Sequence, residues 1–150
     1  MNVTLEPVNA DNWRAVTRLE VTPDQQTFVA APAYYLTYCA YGEDGWKPLA
    51  IYRGNDEVIG FMMWNVDPSD GACWLGGILI DHRQQGKGYG RQAVTEALKM
   101  LNKQHGLTDF ALSYEPDNAA ARHLYLDMGF RETGGKEGDE QVARYRLGSS

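Results

Sequence analysis

Ile78-Leu79-Ile80-Asp81-His82-Arg83-Gln84-Gln85-Gly86-Lys87-Gly88-Tyr89-Gly90-Arg91 passes from an apolar run through a polar bend into three alternating glycines. From Arg91 to Leu101 the pattern becomes that of an amphipathic helix. A strand, a glycine turn and a helix in that order leave backbone N–H groups unpaired at a helix N-terminus. The helix dipole adds partial positive charge there, so the turn suits a phosphate or pyrophosphate. Glycines permit positive φ and let an anion reach the backbone with no Cβ in the way.

Spacing tests two well-known phosphate loops. A P-loop needs Gly, four residues, then Gly-Lys-Ser/Thr. Here Gly86-Lys87 is followed by Gly88, and Asp81 stands where the first glycine belongs, so that reading fails. The dinucleotide fingerprint Gly-x-Gly-x-x-Gly fails when counted from Gly86, because Arg91 holds the third position. Counted from Gly88, Ala93 satisfies its looser form, but the motif belongs to the first strand–helix unit of a parallel sheet. In this chain it follows a run of hairpin-like strands.

Gln85-Gly86-Lys87-Gly88-Tyr89-Gly90 resembles the Gln/Arg-x-x-Gly-x-Gly/Ala signature of the GNAT superfamily of acyl-CoA N-acyltransferases. A second element, Asn118-Ala119-Ala120-Ala121-Arg122-His123-Leu124-Tyr125-Leu126-Asp127-Met128-Gly129-Phe130, resembles the superfamily's Asn-x-x-Ala-x-x-Leu-Tyr-x-x-x-Gly-Phe segment at every named position. The resemblance covers nearly the whole chain and is nearer to small bacterial diamine and polyamine N-acetyltransferases. Val21 to Ala30, Ile80 to Gly90 and Gly129 to Gly134 carry that nearer likeness. Where that branch has an Arg and larger apolar groups before the Ile-Asp pair, this chain has Leu75-Gly76-Gly77-Ile78-Leu79. Those positions face the acceptor cleft in the superfamily, so the acceptor stays open.

A chain of 150 residues is the size of one ordinary domain, and residues 1–150 are expected to form a single one. Cys39 and Cys73 have neither metal-ligand nor redox spacing and read as buried apolar groups in a reducing cytosol. His82, His105 and His123 form no cluster, so no metal site is expected. Neither a signal peptide nor an apolar run of membrane length occurs, and a cytoplasmic protein with no membrane partner is expected. The net charge of -6 argues against nucleic acid as a partner. It admits a cationic small substrate, although solubility alone explains it equally well.

Strands are expected at Val3 to Pro7, Pro48 to Arg53, Val58 to Val66, Ala72 to Ile80, Phe110 to Tyr114, Phe130-Arg131 and Val142 to Leu147. A helix capped by Asn9 or Asp11 runs through Trp13, Val16 and Leu19. Another unit starts at Pro23 with Asp24 near a helix start, and a Tyr-rich helix with irregular ends lies between Ala30 and Trp46. The helix after the glycine loop presents Ala93, Val94, Ala97, Leu98 and Leu101 and stops at Gly106. A short helix spans Asn118 to Met128, and Gly134 to Asp139 reads as a polar loop. Gly148-Ser149-Ser150 reads as a frayed or appended end. Strands first, then strand and helix in alternation, give an α/β class with a mixed sheet. The resemblance sharpens this to the GNAT fold, a mostly antiparallel sheet flanked by helices with splayed central strands.

The resemblance also implies roles. Acetyl-CoA is the cosubstrate, with its pyrophosphate on N–H groups from Gly86 through Arg91. Gln85, Gly86, Lys87, Gly88, Tyr89, Gly90 and Arg91 are therefore cofactor-binding candidates, with Asn118, Ala121 and Tyr125 from the second motif. The backbone of Ile78, Leu79 and Ile80 pairs with the pantetheine amides as an added strand would. Tyr125 is the proton donor to the leaving thiolate, since a phenol is protonated at neutral pH; aromatic packing on Leu124 and Phe130 is the alternative. An alkyl ammonium must lose a proton before attack, and Glu115 at a strand end is the candidate base. Glu20, with Asp24 and Asp81 as further candidates, Gly77 and the tyrosines beginning at Tyr34 are candidates for the amine acceptor's site. Solvated surface charge and a packed aromatic stripe are the competing explanations for these. Homodimers are common in the family, and the residues give no independent sign of one.

Overall fold

The computed structural model describes residues 2–148; Ser149 and Ser150, with the end of the chain they were read to form, lie outside the described residues. Alternation along the middle strands explains why both faces of the sheet are covered. In β2 (Lys47–Arg53), Leu49 and Ile51 point to one face and Ala50 to the other. In β3 (Glu57–Val66), Met62 and Trp64 oppose Phe61 and Met63. Two separate clusters of buried side chains result, one on each face.

The first face is covered by α3 (Tyr89–His105), which buries Ala93, Val94, Ala97, Leu98 and Leu101, and by Tyr125 of α4 (Ala119–Met128). Those α3 positions are the apolar stripe expected from sequence. Gly106 closes α3 at φ +68 with its N–H on the Asn102 carbonyl. The second face is covered by Val16 of α1 (Trp13–Thr17) with Leu19 beyond it, and by Tyr35, Leu36 and Cys39 of α2 (Pro32–Tyr41). Asn9 acts ahead of α1 as a turn residue, its Oδ1 accepting the N–H groups of Asp11 and Asn12 at 2.8 and 3.1 Å. Asp24 precedes only a short 3₁₀ turn, Gln25–Thr27.

The seven strands lie in the order β1-β2-β3-β4-β5-β7-β6. β1 is Val3–Pro7, β4 Cys73–Ile80, β5 Asp109–Tyr114, β6 Arg131–Glu137 and β7 Glu140–Arg146. Every neighbouring pair is antiparallel except β4 and β5. That parallel pair joins only at Cys73↔Phe110 and Trp74↔Ala111, and from Leu75 onward the two strands diverge. On its other side β4 slips register against β3 between Phe61 and Met63, opposite Gly77, whose φ is +59. The expected splay is therefore present, and it opens a cleft at the centre of the sheet.

The last hairpin differs from expectation. The Gly134 to Asp139 stretch, read as a loop, belongs mostly to β6, and only Gly138-Asp139 connects Glu137 to its partner Glu140. Pairing jumps from Glu132↔Ala143 to Lys136↔Gln141, so Thr133, Gly134 and Gly135 bulge outward. β6 is an exposed edge strand, which removes the apolar alternation that would have marked it.

Candidate active site

The glycine loop is held from below. Asp81 is buried, and its carboxylate accepts the Glu20 N–H at 3.0 Å and the Arg83 Nε–H at 2.8 Å. Burial pushes this carboxyl up, but Arg83 and the N–H groups of Glu20 and Arg83 outweigh it and hold it below its ordinary value. Its charge is thus committed to the turn. A 3₁₀ turn, His82–Gln84, follows, and then Gln85 reaches back to donate to the Ile80 carbonyl at 2.9 Å. Gln85 also exchanges side-chain amide bonds with Gln25, at 2.7 and 3.1 Å.

Gly86 and Gly88 have φ of +77 and +83, conformations that L side chains rarely adopt. The first α3 bond runs from the Gln92 N–H to the Gly88 carbonyl, so Tyr89, Gly90 and Arg91 present N–H groups ahead of it. Gly86, Gly88, Tyr89 and Gly90 line a cavity of about 320 Å³, with Ile78, Leu79 and Ile80 along its β4 wall. Gln85, Asn118, Ala121 and Tyr125, also expected from sequence, line it as well. The Lys87 and Arg91 side chains do not line it: Lys87 donates to Gln84 at 3.3 Å and Arg91 pairs with Asp127. Asn118 caps α4, its Oδ1 accepting the Ala121 N–H at 3.2 Å.

A second cavity of about 640 Å³ opens on the other side of the splayed strands. Gly77 and Glu115 line it, as do Tyr35, Trp46 and Trp74. Six acidic residues line it, Glu43, Asp44, Asp67, Glu115, Glu137 and Glu140, and no Lys, Arg or His among the described residues does. Glu20, Tyr34 and Asp24 line neither cavity. Glu20 is exposed with its backbone tied to Asp81 and His82, and Tyr34 is 61% exposed, stacked on Tyr38. Tyr34 lies on the outer face of α2, Tyr38 is half-buried against the second core cluster, and Tyr35 turns inward against Phe61.

The two cavities share six lining residues: Phe28, Val29, Ile78, Asn118, Ala121 and Tyr125. Tyr125 is 7% exposed, stacked on Tyr114 at 5.9 Å and edge-on to Phe130 at 5.9 Å. Its phenol oxygen has no hydrogen-bond partner among the described residues. Since none of their fully buried polar atoms is left unpaired, that oxygen opens onto the cavities. Burial, and then the neighbouring Tyr114, push its pKa well up, so the proton stays on it. Tyr114 donates to Glu132 at 2.8 Å, and Arg122 grips the same carboxylate at 2.9 and 3.1 Å. Burial and Glu132 push the Tyr114 phenol up to about 12.

Residues 13–130 match the acetyltransferase (GNAT) family. The chain belongs to that family. The spermine/spermidine N(1)-acetyltransferase of Bacillus subtilis (strain 168) is 28% identical to this acetyltransferase over 143 residues, covering 89% of this chain and 91% of that protein. The spermidine N-acetyltransferase from Vibrio cholerae, solved with CoA and spermine, superposes with a TM-score of 0.72 at 19% identity, over 95% of this chain and 93% of that one. The aminoglycoside acetyltransferase AAC(6')-Ib, solved with ribostamycin and coenzyme A, superposes with a TM-score of 0.80 at 16% identity, over 98% and 94%. These two structures establish the likeness of fold.

Other features of the GNAT chain bear on chemistry. Cys73 is buried in the core and burial pushes its thiol up to about 12, unsuited to nucleophilic attack. Cys39 and Cys73 are both free thiols. No group of three or more His, Cys, Asp or Glu among the described residues is placed to hold a metal ion, and no helix among them is long and apolar enough to cross a membrane. Gln25, Phe28, Val29 and Leu124 line the smaller cavity without having been singled out as site residues. The Val21 to Ala30 likeness pointed to the first three. Gln85, the partner of Gln25, lies sixty positions away, and sequence alone does not pair the two.

Proposed function

We propose that this GNAT enzyme transfers acetyl from acetyl-CoA to a primary amine, a diamine or polyamine first of all, by direct attack in a ternary complex. The meeting of the two cavities at Tyr125 carries this reading. One side offers a glycine cradle free of Cβ atoms with unpaired N–H groups, which fits a pyrophosphate. The other is lined by acidic residues and aromatic rings and, among the described residues, by no Lys, Arg or His, which fits an ammonium.

In this reading the backbone edge of β4, left free by the splay from β5, binds the pantetheine amides at Ile78 to Ile80. The N–H groups from Gly86 through Arg91 hold the diphosphate, and a strand N–H near Ile80 polarises the thioester carbonyl. Glu115, half-buried at the end of β5, accepts a proton from the ammonium so that the nitrogen lone pair is free. As the C–N bond forms and the C–S bond breaks, Tyr125 donates its phenolic proton to the departing sulfur. The products are the N-acetyl amine and the CoA thiol. The nitrogen gives up its second proton as the amide forms, which restores the Tyr125 phenol through cavity water, and the Glu115 carboxyl releases the first proton to solvent. Most of the acceleration lies in holding the two substrates together.

The size of the larger cavity, about 640 Å³, supports a second reading for the acceptor, a bulkier amine such as an aminoglycoside-like polycation, an amino acid or a protein N-terminus. CoA-thiol release against spermine, spermidine, short diamines, aminoglycosides, amino acids and a peptide tests both. Turnover with the linear amines alone supports the first reading. Turnover confined to aminoglycosides or the peptide replaces the acceptor, and binding of acetyl-CoA without turnover of any amine leaves a CoA-binding sensor.

A further inference from the structure

We propose that Glu140 is a specificity-determining residue that holds the acceptor's second, non-reacting ammonium, so that the enzyme selects amines with two charges over amines with one. The inference rests on the acceptor reading above and names a residue within the same site.

With Glu115 given the role of base at the reacting nitrogen, Glu140 differs from the other four acidic residues of the large cavity. The Ser113 hydroxyl donates to its Oε1 at 2.7 Å, the length of a charge-assisted bond. Ser113 stands on β5 beside Tyr114, so the hairpin carboxylate is fixed against the rigid middle of the sheet. Asp44, by contrast, accepts from the Tyr38 hydroxyl, and Asp67 accepts from the N–H and hydroxyl of Ser69. Glu43 and Glu137 are exposed. Glu140 is half-buried and takes part in none of the ion pairs among the described residues. A carboxylate drawn partly out of water, oriented by one donor and facing a cavity without cations, is completed by a cation from outside.

The opposite wall agrees. Tyr35 stacks on Phe61, and its hydroxyl accepts the Ala30 N–H at 3.0 Å, which leaves its own proton free to donate. Burial first, and the Glu140 charge in smaller part, raise the Tyr35 phenol, so the carboxylate's field spans the cleft. Glu140 is outside the six residues common to both cavities, whereas Tyr125, nine-tenths buried with an unpartnered hydroxyl, is among them. The reacting nitrogen belongs at Tyr125, and the second charge belongs at Glu140.

The test compares 1,4-diaminobutane with butylamine on wild type, Glu140→Gln and Ser113→Ala, with melting temperatures recorded for each. Glu140→Gln is expected to lower kcat/KM for the diamine about tenfold, through KM, and to leave the monoamine and the KM for acetyl-CoA within about twofold. Ser113→Ala should shift the diamine in the same direction by less. Equal loss on both amines, or no loss on the diamine, overturns the assignment while wild-type turnover keeps the acceptor reading intact. A wild type inactive on every amine overturns both.

Discussion

Tyr125 is buried among aromatic rings; burial, and then the neighbouring Tyr114, raise its pKa, and its unpartnered hydroxyl leaves the proton to the cleft. Tyr125→Phe keeps the packing and removes the proton, so kcat should fall about 10²-fold or more while CoA affinity stays. Steady-state rates with calorimetric CoA binding check this; an unchanged kcat excludes Tyr125 as the acid. The same shifts bear on stability at high pH. Tyr114 and Tyr125 titrate above the ~10 of an unfolded tyrosine. The stability tied to their protonation is full below about pH 10 and is lost as pH rises through the folded values, about 12 for Tyr114. Urea midpoints should drop as pH rises from about 10 to about 12, less steeply in Tyr114→Phe. The places of Tyr125 and Glu115 on the cavity wall were legible because motif and strand end are local features. Glu140 was not, because the polar hairpin that carries it looks like loop until Ser113 is seen beside it.

Elements matter here for where they fail to pair. β4 leaves β5 after Trp74 and bulges against β3 at Gly77, and both irregularities open the cleft. An alanine at Gly77 would put a Cβ 3.2 Å from Phe61 Cε2 and 3.4 Å from the Tyr35 ring, at a φ of +59. Phe61 is fully buried and has no room to yield. Gly77→Ala should therefore cost about 2 kcal/mol of stability and raise the amine KM by displacing Tyr35. Gly88→Ala differs, because nothing lies within 4 Å of its Cβ. Only the φ of +83 is strained, about 1 kcal/mol, and the KM for acetyl-CoA should rise while that for the amine holds. Denaturation curves and paired KM values separate the two variants. The strands and helices of the core were legible from their periodicity. β6 was not, since an exposed edge with Gly134 and Gly135 in it has no alternation to read.

Across the whole molecule the charge of -6 is unevenly used. In the proposed reading the glycine loop answers a polyanion with backbone dipoles, while six acidic residues and, among the described residues, no Lys, Arg or His line the larger cavity. Composition gave the sign of the net charge but not this division, because Glu43, Asp67, Glu115 and Glu140 come together only when four separate parts of the chain meet at one cavity. A field of that kind draws cations toward the cleft and is screened over about 10 Å at 0.1 M salt. Raising sodium chloride from about 0.05 to 0.5 M should then raise the amine KM, more steeply for a polyamine than for a diamine, because each added ammonium interacts with the same field. Viscosity and kcat are expected to contribute little if chemistry in the assembled complex sets the rate. Initial rates at saturating acetyl-CoA across that series give the slope of log KM against log salt. A slope that grows with the number of charges identifies the cavity as an electrostatic trap for the acceptor, whereas equal slopes for all amines would mean that a single contact at the reacting nitrogen sets affinity.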